Sequence, residues 1–240
     1  MVTGLAIVAT AVSSLFAEST LVRWTQRRRP YHAAWTVALT MFALASALLV
    51  VGSSNGWVPA TFRAFYLLGA VLDVPWLALG TVALLLGPLA TRRAAWGLVF
   101  FSGLAVGVLA TAPLGPVSGE TIPRGQDVFG AFPRVLAAVG SGIGATVIVV
   151  GAVWSLVELG RNPSPRDPSS PARRLVVANV LIALGTLVLS GGGLLEGIVG
   201  HDEAFAITLV VGISVIYAGF LVADRRPRAA GGIERPGAAP

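Results

Sequence analysis

The chain has 240 residues, of which 55% are hydrophobic and only 12% are charged. Soluble domains carry about 25% charged residues, so this composition excludes an ordinary water-soluble fold and indicates lipid as the solvent. The 17 basic residues are all arginine and cysteine is absent, which excludes a lysine Schiff base, disulfides and thiolate chemistry.

Seven hydrophobic segments of nearly membrane-spanning length follow one another along the chain. A crossing helix needs about 20 mostly apolar residues, and continuous apolar runs favour helices over a β-barrel. The segments cover residues 3–22, 34–52, 62–87, 95–112, 134–158, 175–199 and 204–223. The predicted fold is therefore an all-α, polytopic seven-helix transmembrane bundle over residues 1–223, with a disordered cytoplasmic tail at 224–240.

Arginines occupy every second gap between these segments. All but three of the 17 follow the first, third, fifth or seventh segment, the exceptions being Arg63, Arg124 and Arg134. Because basic residues mark the cytoplasmic side, the alternation predicts a multi-pass protein of the cell membrane with its N-terminus outside and its C-terminus in the cytoplasm. The arginines form no stripe interleaved with aromatic residues, so no nucleic-acid partner is expected.

The first segment carries a carboxylate near its cytoplasmic end. Thr10, Ser14 and Glu18 recur every four residues and form one polar line, which we expect to point into the bundle. The alternative is that Glu18 pairs with Arg23 or another flanking arginine at the membrane interface.

Asp73 lies near the middle of the third segment, far from any flanking charge. An ionisable side chain at a helix centre costs about 2.5–3.5 kcal/mol, which makes it a candidate for a functional site. Pro75 removes the donor that would bond the Val71 carbonyl, and Trp76 follows at the same depth. We expect this group to bind water, a cation or a polar ligand. The alternative is a protonated Asp73 that hydrogen-bonds a neighbouring helix.

Glu196 lies in the outer half of the sixth segment, just after the three glycines at 191–193. A triple glycine is explained most easily by a bend or break, which is tolerated at membrane depth only where protein or a water-filled cavity covers it. Because Asp73 and Glu196 belong to the same half, we predict an outward-facing polar cavity between the third and sixth helices, with Arg63 nearer its mouth. The alternative is that the glycines only allow close helix packing.

Catalytic chemistry finds little support in the sequence. The predicted topology places His32 at the cytoplasmic face and His201 at the outer face, so the two imidazoles cannot share a site. A histidine-based zinc hydrolase and a bis-histidine haem carrier both need several converging imidazoles. We therefore expect no enzyme activity, no metal and no cofactor. The small residues Gly140, Gly144 and Gly151 of the fifth segment predict close packing instead.

Residues 31–87 carry a resemblance to a known family. They contain AAWTVALTMFALASALLVVG, a short loop with Trp57, and FRAFYLLGAVLDVPWLALGTVALLLG. This stretch, about a quarter of the chain, resembles the opening helices of the seven-helix N-terminal sensor region of bacterial membrane histidine kinases. The resemblance implies a sensor of bacterial origin whose output depends on a signalling protein.

The sequence thus predicts an integral membrane protein of receptor or sensor type, which binds a small ligand in the outward-facing cavity and acts through a partner. The alternative is a small transporter, or a proton- or cation-conducting protein, that uses its intramembrane carboxylates. Besides the lipid bilayer, the expected partner is a separate signalling protein, and the oligomeric state is left open. The candidate ligand- or ion-binding residues are Asp73, Glu196, Arg63, Trp76 and Glu18.

Overall fold

Seven long helices make up the computed structural model, which describes residues 1–161, 171–199 and 202–224, without the side chains of 171–172, 193–199 and 224. The helices are α1 (Val2–Arg27), α2 (Pro30–Asn55), α3 (Pro59–Leu85), α4 (Gly87–Thr111), α5 (Ala131–Arg161), α6 (Pro171–Val199) and α7 (Asp202–Asp224). Each contains a stretch long and apolar enough to cross a membrane. The prediction of an all-α, seven-helix multi-pass protein is confirmed, and the predicted tail lies outside the described residues beyond 224.

Six of the helices pack in a closed ring. The order of neighbours is α1, α2, α3, α5, α6, α7 and back to α1. α4 lies outside this ring and packs mainly on α3, and only 17% of its most apolar stretch is buried, against 50% for α2 and α3. α4 therefore has the most lipid-facing surface among the helices described, and α3 has neighbours on three sides.

Short connections alternate between the two ends of the bundle. α1 finishes with Arg27 at the end of the bundle where α2 and α4 begin and α3 finishes. We call this end of the bundle the arginine-rich end. α4 starts at Gly87 rather than at the predicted residue 95, so it carries Arg92 and Arg93 on exposed positions of its first turns. The extra turns arise because a helix continues past the apolar layer into the interface, where arginine reaches water.

An aromatic cluster fills the ring near the arginine-rich end. Phe220 of α7 lies with its ring centroid 5.0 Å from Phe16 of α1 and 5.6 Å from Trp35 of α2. The Trp35 indole also packs directly on Gly80 of α3. His32 is buried at the same end, with its ring centroid 6.2 Å from Phe220. This cluster joins α1, α2, α3 and α7, and the other histidine lies outside the described residues.

The segment between α4 and α5, residues 113–130, folds over the opposite, arginine-poor end of α3. We call it the cap. Its Phe129 ring stacks on Phe62 at 5.6 Å and packs on Tyr66 at 4.9 Å. The backbone amide of Trp57 donates to the Gly119 carbonyl at 2.8 Å. Ile122 and Phe129 are buried, so the cap closes this end of the bundle over α3.

Glycines bring the ring helices close together, as the sequence predicted. A Cβ at Gly151 of α5 would come within 2.6 Å of the Thr81 side chain on α3. A Cβ at Gly219 of α7 would come within 2.9 Å of the Ala178 carbonyl on α6. These positions hold backbones at distances that only glycine allows, which confirms the packing interpretation of the small residues.

Candidate functional site

Asp73 is buried where α3 changes its helical form. Residues Pro59–Phe65 are α-helical, Tyr66–Leu72 form a π-helical segment, and Asp73–Leu85 are α-helical again. The Asp73 side chain is 6% exposed and is flanked by the buried residues Leu72 and Val74. No residue that the structure describes forms a hydrogen bond with its carboxyl. A buried carboxyl group thus lies in the bundle with its acceptor capacity unused.

The π-helical segment ends at Leu72, three residues before Pro75. The backbone amide of Asp73 donates to the Leu68 carbonyl, five residues earlier, which is the π-helical register. Pro75 itself lies in the α-helical part Asp73–Leu85, where the amide that it lacks would have bonded the Val71 carbonyl. The Ser141 hydroxyl of α5 donates to the Ala70 carbonyl, within the π-helical segment, at 2.6 Å. The neighbouring helix α5 therefore supplies a hydrogen bond to the π-helical segment.

The π-helical segment was not predicted from the sequence. The prediction that Pro75 leaves the Val71 carbonyl without its donor stays a prediction, and the hydrogen bond that the structure shows from α5 goes to Ala70, one residue earlier. π-Helical turns inside α-helices are rare and occur frequently at functional sites, so the register change marks the same region as Asp73.

Two glycines of α5 allow its close approach to the π-helical segment. A Cβ at Gly140 would lie 2.8 Å from the Val71 carbonyl oxygen. A Cβ at Gly144 would lie 2.9 Å from the backbone nitrogen of Pro75. Ser141, between these two glycines, is thereby placed within hydrogen-bonding distance of α3. The wall of the site opposite α5 is formed by α2, on which Gly69 packs through Ala45.

The hydrogen bond from Ser141 to Ala70 allows a direct test of the contact between α5 and α3. Ser141→Ala is expected to lower the free energy of unfolding by about 0.6 kcal/mol, the average for interhelical hydrogen bonds in membranes, and by no more than about 1.7 kcal/mol. Thr146→Ala is the matched control, since Thr146 is exposed on the same helix and bonds only the Gly142 carbonyl of its own helix. Unfolding in mixed micelles would compare the two, and equal losses would contradict the role of Ser141.

Trp76 and Arg63 are both held by α4 rather than by Asp73. The Trp76 indole N–H donates to the Ser102 hydroxyl at 3.2 Å. The Arg63 guanidinium donates to the backbone carbonyls of Leu109 and Ala112, the second at 2.7 Å. Leu109 lies in the last turn of α4, where carbonyls lack intrahelical donors, and Ala112 directly follows the helix. The structure therefore gives both side chains a partner on α4.

Glu18 does not point into the bundle, and that prediction was wrong. Ser14 and Glu18 are exposed, whereas Ser13 and Thr20 are buried on a different face of α1. The hydroxyls of helical serine and threonine can bond the carbonyl one turn earlier, as Thr10 bonds Ala6 at 2.8 Å. Such residues need no partner on another helix. The spacing of Thr10, Ser14 and Glu18 therefore does not show whether their face of α1 points into the bundle.

Glu196 lies on α6, but its side chain is outside the described residues. The predicted break at glycines 191–193 is absent, because α6 is one continuous helix from Pro171 to Val199. Gly192 packs directly against Thr208 of α7, which supports the close-packing alternative. α5 lies between α3 and α6 in the ring. A cavity shared by Asp73 and Glu196 stays a prediction.

Within the described ranges, Asp73 is the only carboxylate residue among the buried side chains. The same ranges contain no group of three His, Asp or Glu residues arranged to hold a metal ion. Sequence reasoning missed Ser141, which occurs beside Gly140 in a run of small residues. It also missed the cap, whose Ile122 amide donates to the Asp202 carboxylate at 3.1 Å. Ser141 is 71 residues from its partner Ala70, and Ile122 is 80 residues from its partner Asp202.

Comparisons with known proteins add no identification: no protein-family model matches the chain, and no curated protein is significantly similar to it.

Proposed function

We propose that this protein is a bacterial receptor or sensor of the cell membrane, with its N-terminus outside and its C-terminus in the cytoplasm. It binds a small cation or a cationic polar ligand at Asp73 and acts through a separate signalling protein. The orientation rests on the arginine-rich end, which carries the basic flanks of α1 and α4. The resemblance of residues 31–87 to sensor regions of membrane histidine kinases supports the output through a partner.

The buried Asp73 carboxyl is the observation that carries this proposal. It is 6% exposed, and no residue in the described part of the chain hydrogen-bonds with it. Buried polar groups are nearly always hydrogen-bonded, so an exception calls for a ligand, an ion or water. The alternative of a structural hydrogen bond to a neighbouring helix has no partner among the described residues. A cation or ammonium group supplies the missing donor or charge.

α3 offers a route from this site to the rest of the bundle. At the arginine-poor end, the Phe65 ring of α3 lies 6.5 Å from the Phe205 ring of α7. At the arginine-rich end, Gly80 of α3 packs on Trp35, whose ring lies 5.6 Å from Phe220 of α7. A ligand that changes the π-helical register would shift α3 along its axis. Both contacts would transmit that shift to α7.

A transporter or proton-conducting protein is the second candidate. Such a protein needs a succession of ionisable or hydrated groups across the membrane. Among the described side chains Asp73 is the one buried carboxylate, and the cap covers the arginine-poor end of its helix. These two features favour a binding site over a relay. Glu196 would supply the second carboxylate if conduction occurs.

Thermal unfolding tests the proposed binding site. We expect at least one of Na⁺, K⁺, methylammonium and spermidine to raise the unfolding midpoint of the purified protein by about 4 °C, the shift for 1–2 kcal/mol in a chain of this size. Asp73→Asn removes the charge with little change in volume and should abolish the shift. Asp127→Asn is the matched control, because Asp127 is exposed on the cap. A shift that survives in Asp73→Asn, or no shift in wild type, would contradict the proposal.

Flux measurements separate the two candidates. Wild-type protein in liposomes that contain a pH-sensitive dye or a Na⁺-sensitive dye should show no more proton or Na⁺ movement, respectively, than empty liposomes when a gradient is imposed. Flux that depends on the protein and disappears in Asp73→Asn but not in Asp127→Asn would refute the sensor and establish conduction.

A further inference from the structure

The cap is a loop whose two ends meet. The Gly115 amide donates to the Val128 carbonyl at 2.9 Å, and Leu114 and Phe129 form an antiparallel bridge. A Cβ at Gly115 would come within 2.7 Å of the Asp127 carbonyl oxygen, so only glycine allows the two ends to lie this close. Compact loops with adjoining ends are frequently functional. The closed neck allows the rest of the cap to move as one unit.

The cap covers the part of α3 that leads to Asp73 from the arginine-poor end. The rings of Phe62 and Tyr66 both pack on Phe129 of the cap. Gly125 of the cap also lies directly on the Tyr66 ring. Tyr66 precedes Asp73 in the chain by only about two turns of helix. A polar ligand that approaches along this end of α3 therefore meets the cap before it reaches Asp73.

The side of Asp73 toward the arginine-rich end is closed by helices. Trp35 of α2 packs on Gly80 of α3, and Gly151 of α5 packs on Thr81 of α3. These contacts join helices of the ring, which separate only with loss of their close packing. The cap is thus the part of the enclosure that can move while the ring stays intact.

Two hydrogen bonds hold the tip of the cap. The Gly119 carbonyl accepts from the Trp57 amide at 2.8 Å, and the Ile122 amide donates to the Asp202 carboxylate at 3.1 Å. The first bond joins two backbone groups, whereas the second reaches a side chain in the first turn of α7. Hydrogen bonds to an ionised carboxylate are stronger than those between neutral groups. Asp202 is therefore the stronger of the two attachments.

The closed arrangement also contains an unfavourable feature. The Trp57 indole is 2% exposed, and its N–H has no hydrogen-bond partner in the described part of the chain. A buried donor without an acceptor destabilises the state that contains it. Because the Trp57 backbone is bonded to the tip of the cap, opening would let this ring move toward water. Closure thus depends on the Asp202 hydrogen bond to offset a local penalty.

We propose that the cap is a lid over the Asp73 site, with the hydrogen bond from Ile122 to Asp202 as its latch. The inference rests on the proposed ligand site at Asp73, but its test measures access and not binding. Asp202 begins α7, the helix that would receive the shift of α3 on ligand binding. Movement of α7 would carry the carboxylate away from the cap, which couples the lid to the state of the bundle.

Thiol labelling tests the lid, because the chain has no cysteine of its own. Asp73→Cys in lipid nanodiscs would be treated with 2-(trimethylammonium)ethyl methanethiosulfonate, a cation that does not cross lipid. We expect slow labelling, and labelling about tenfold faster when Asp202→Ala removes the latch, since a hydrogen bond to a charged group can shift an opening equilibrium by that factor. Asp202→Asn keeps an acceptor oxygen and should accelerate labelling less.

Glu203→Ala is the matched control, because Glu203 is exposed in the same turn of α7 and lies equally close to the positive end of the helix dipole. It should leave the labelling rate unchanged. Hydrogen exchange of the cap peptide that contains Ile122 reports the latch directly, and it should accelerate in Asp202→Ala and not in Glu203→Ala.

The combined readouts decide between the outcomes. Faster exchange without faster labelling would show that the cap opens but covers no route to Asp73, which overturns the lid. Unchanged exchange in Asp202→Ala overturns the latch. Labelling of Asp73→Cys as fast as that of Glu203→Cys would show a site that is already open, and overturns the lid as well. Labelling as expected, in a protein whose unfolding midpoint does not respond to cations, would refute the proposed ligand and still support the lid.

Discussion

Replacement of Gly144 by leucine is expected to remove most of the folded protein, whereas the same replacement at Gly142 leaves folding intact. A Cβ at Gly144 would lie 2.9 Å from the backbone of both Val74 and Pro75, and backbone cannot rotate away as a side chain can. A Cβ at Gly142 meets no atom within 4 Å. The two glycines are two residues apart on α5, so the same substitution tests opposite sides of one helix.

The expected difference is large because α5 and α3 would have to separate at the π-helical segment. Overpacking usually costs about 1–3 kcal/mol, and a contact with rigid backbone lies at or above the top of that range. Both substitutions gain about 0.8–1 kcal/mol of helix propensity, which cancels in the comparison. Unfolding in mixed micelles and fluorescence-detected size-exclusion chromatography would measure the loss. A greater loss in Gly142→Leu would show that α5 presents its other face to α3.

The number and type of the helices could be predicted from the sequence because the lipid bilayer imposes a simple rule. Every backbone group must be satisfied within its own segment, so seven apolar runs become seven helices. Burial of Asp73 followed from the same rule, since its position in the apolar run leaves it no route to water. Gly140, Gly144 and Gly151 were also predictable, because small residues recur on the face where membrane helices meet.

The register of α3 could not be read from the sequence, because it depends on a partner far away in the chain. Within the π-helical segment the Ala70 carbonyl accepts a hydrogen bond from Ser141, which is 71 residues away in the chain. The partners of Arg63 are similarly distant, 46 and 49 residues along the chain. Local patterns report that a group needs a partner. The packing of the helices decides which partner it obtains.

The direction of α1 was mispredicted for a related reason. Ala6, Ala9 and Phe16, rather than the line through Glu18, form the face that packs in the ring. The two small alanines are fully buried, and Phe16 packs on Phe220 of α7 in the aromatic cluster. Exposed polar residues of α1 are compatible with its arginine-rich end, where the interface reaches Glu18. On α1, the packing of small and aromatic side chains therefore determines which face lies inside the bundle, and the positions of the polar residues do not.

Arg63→Gln is expected to lower the free energy of unfolding by about 3 kcal/mol and to release the end of α4. Each hydrogen bond from a charged donor is worth about 1.5–3 kcal/mol, and Arg63 donates to two carbonyls, those of Leu109 and Ala112. A cation at a helix C-terminus adds electrostatic stabilisation. Glutamine is shorter and neutral, so both contributions disappear. Arg134→Gln, at an exposed position of the same end, should change stability by no more than about 0.5 kcal/mol.

Arg63→Lys separates the charge from the geometry. Lysine keeps the cation but lacks the planar fork that reaches two carbonyls, so about half of the stability should return. Hydrogen exchange at the end of α4, where the Ala112 amide bonds the Val108 carbonyl, should accelerate in Arg63→Gln and not in Arg134→Gln. If Arg63 instead serves chiefly to bind a ligand, Arg63→Gln would leave stability and exchange unchanged and abolish only the cation-dependent midpoint shift. The two roles for Arg63, holding the C-terminal end of α4 or binding a ligand, thus predict opposite results for the same variant.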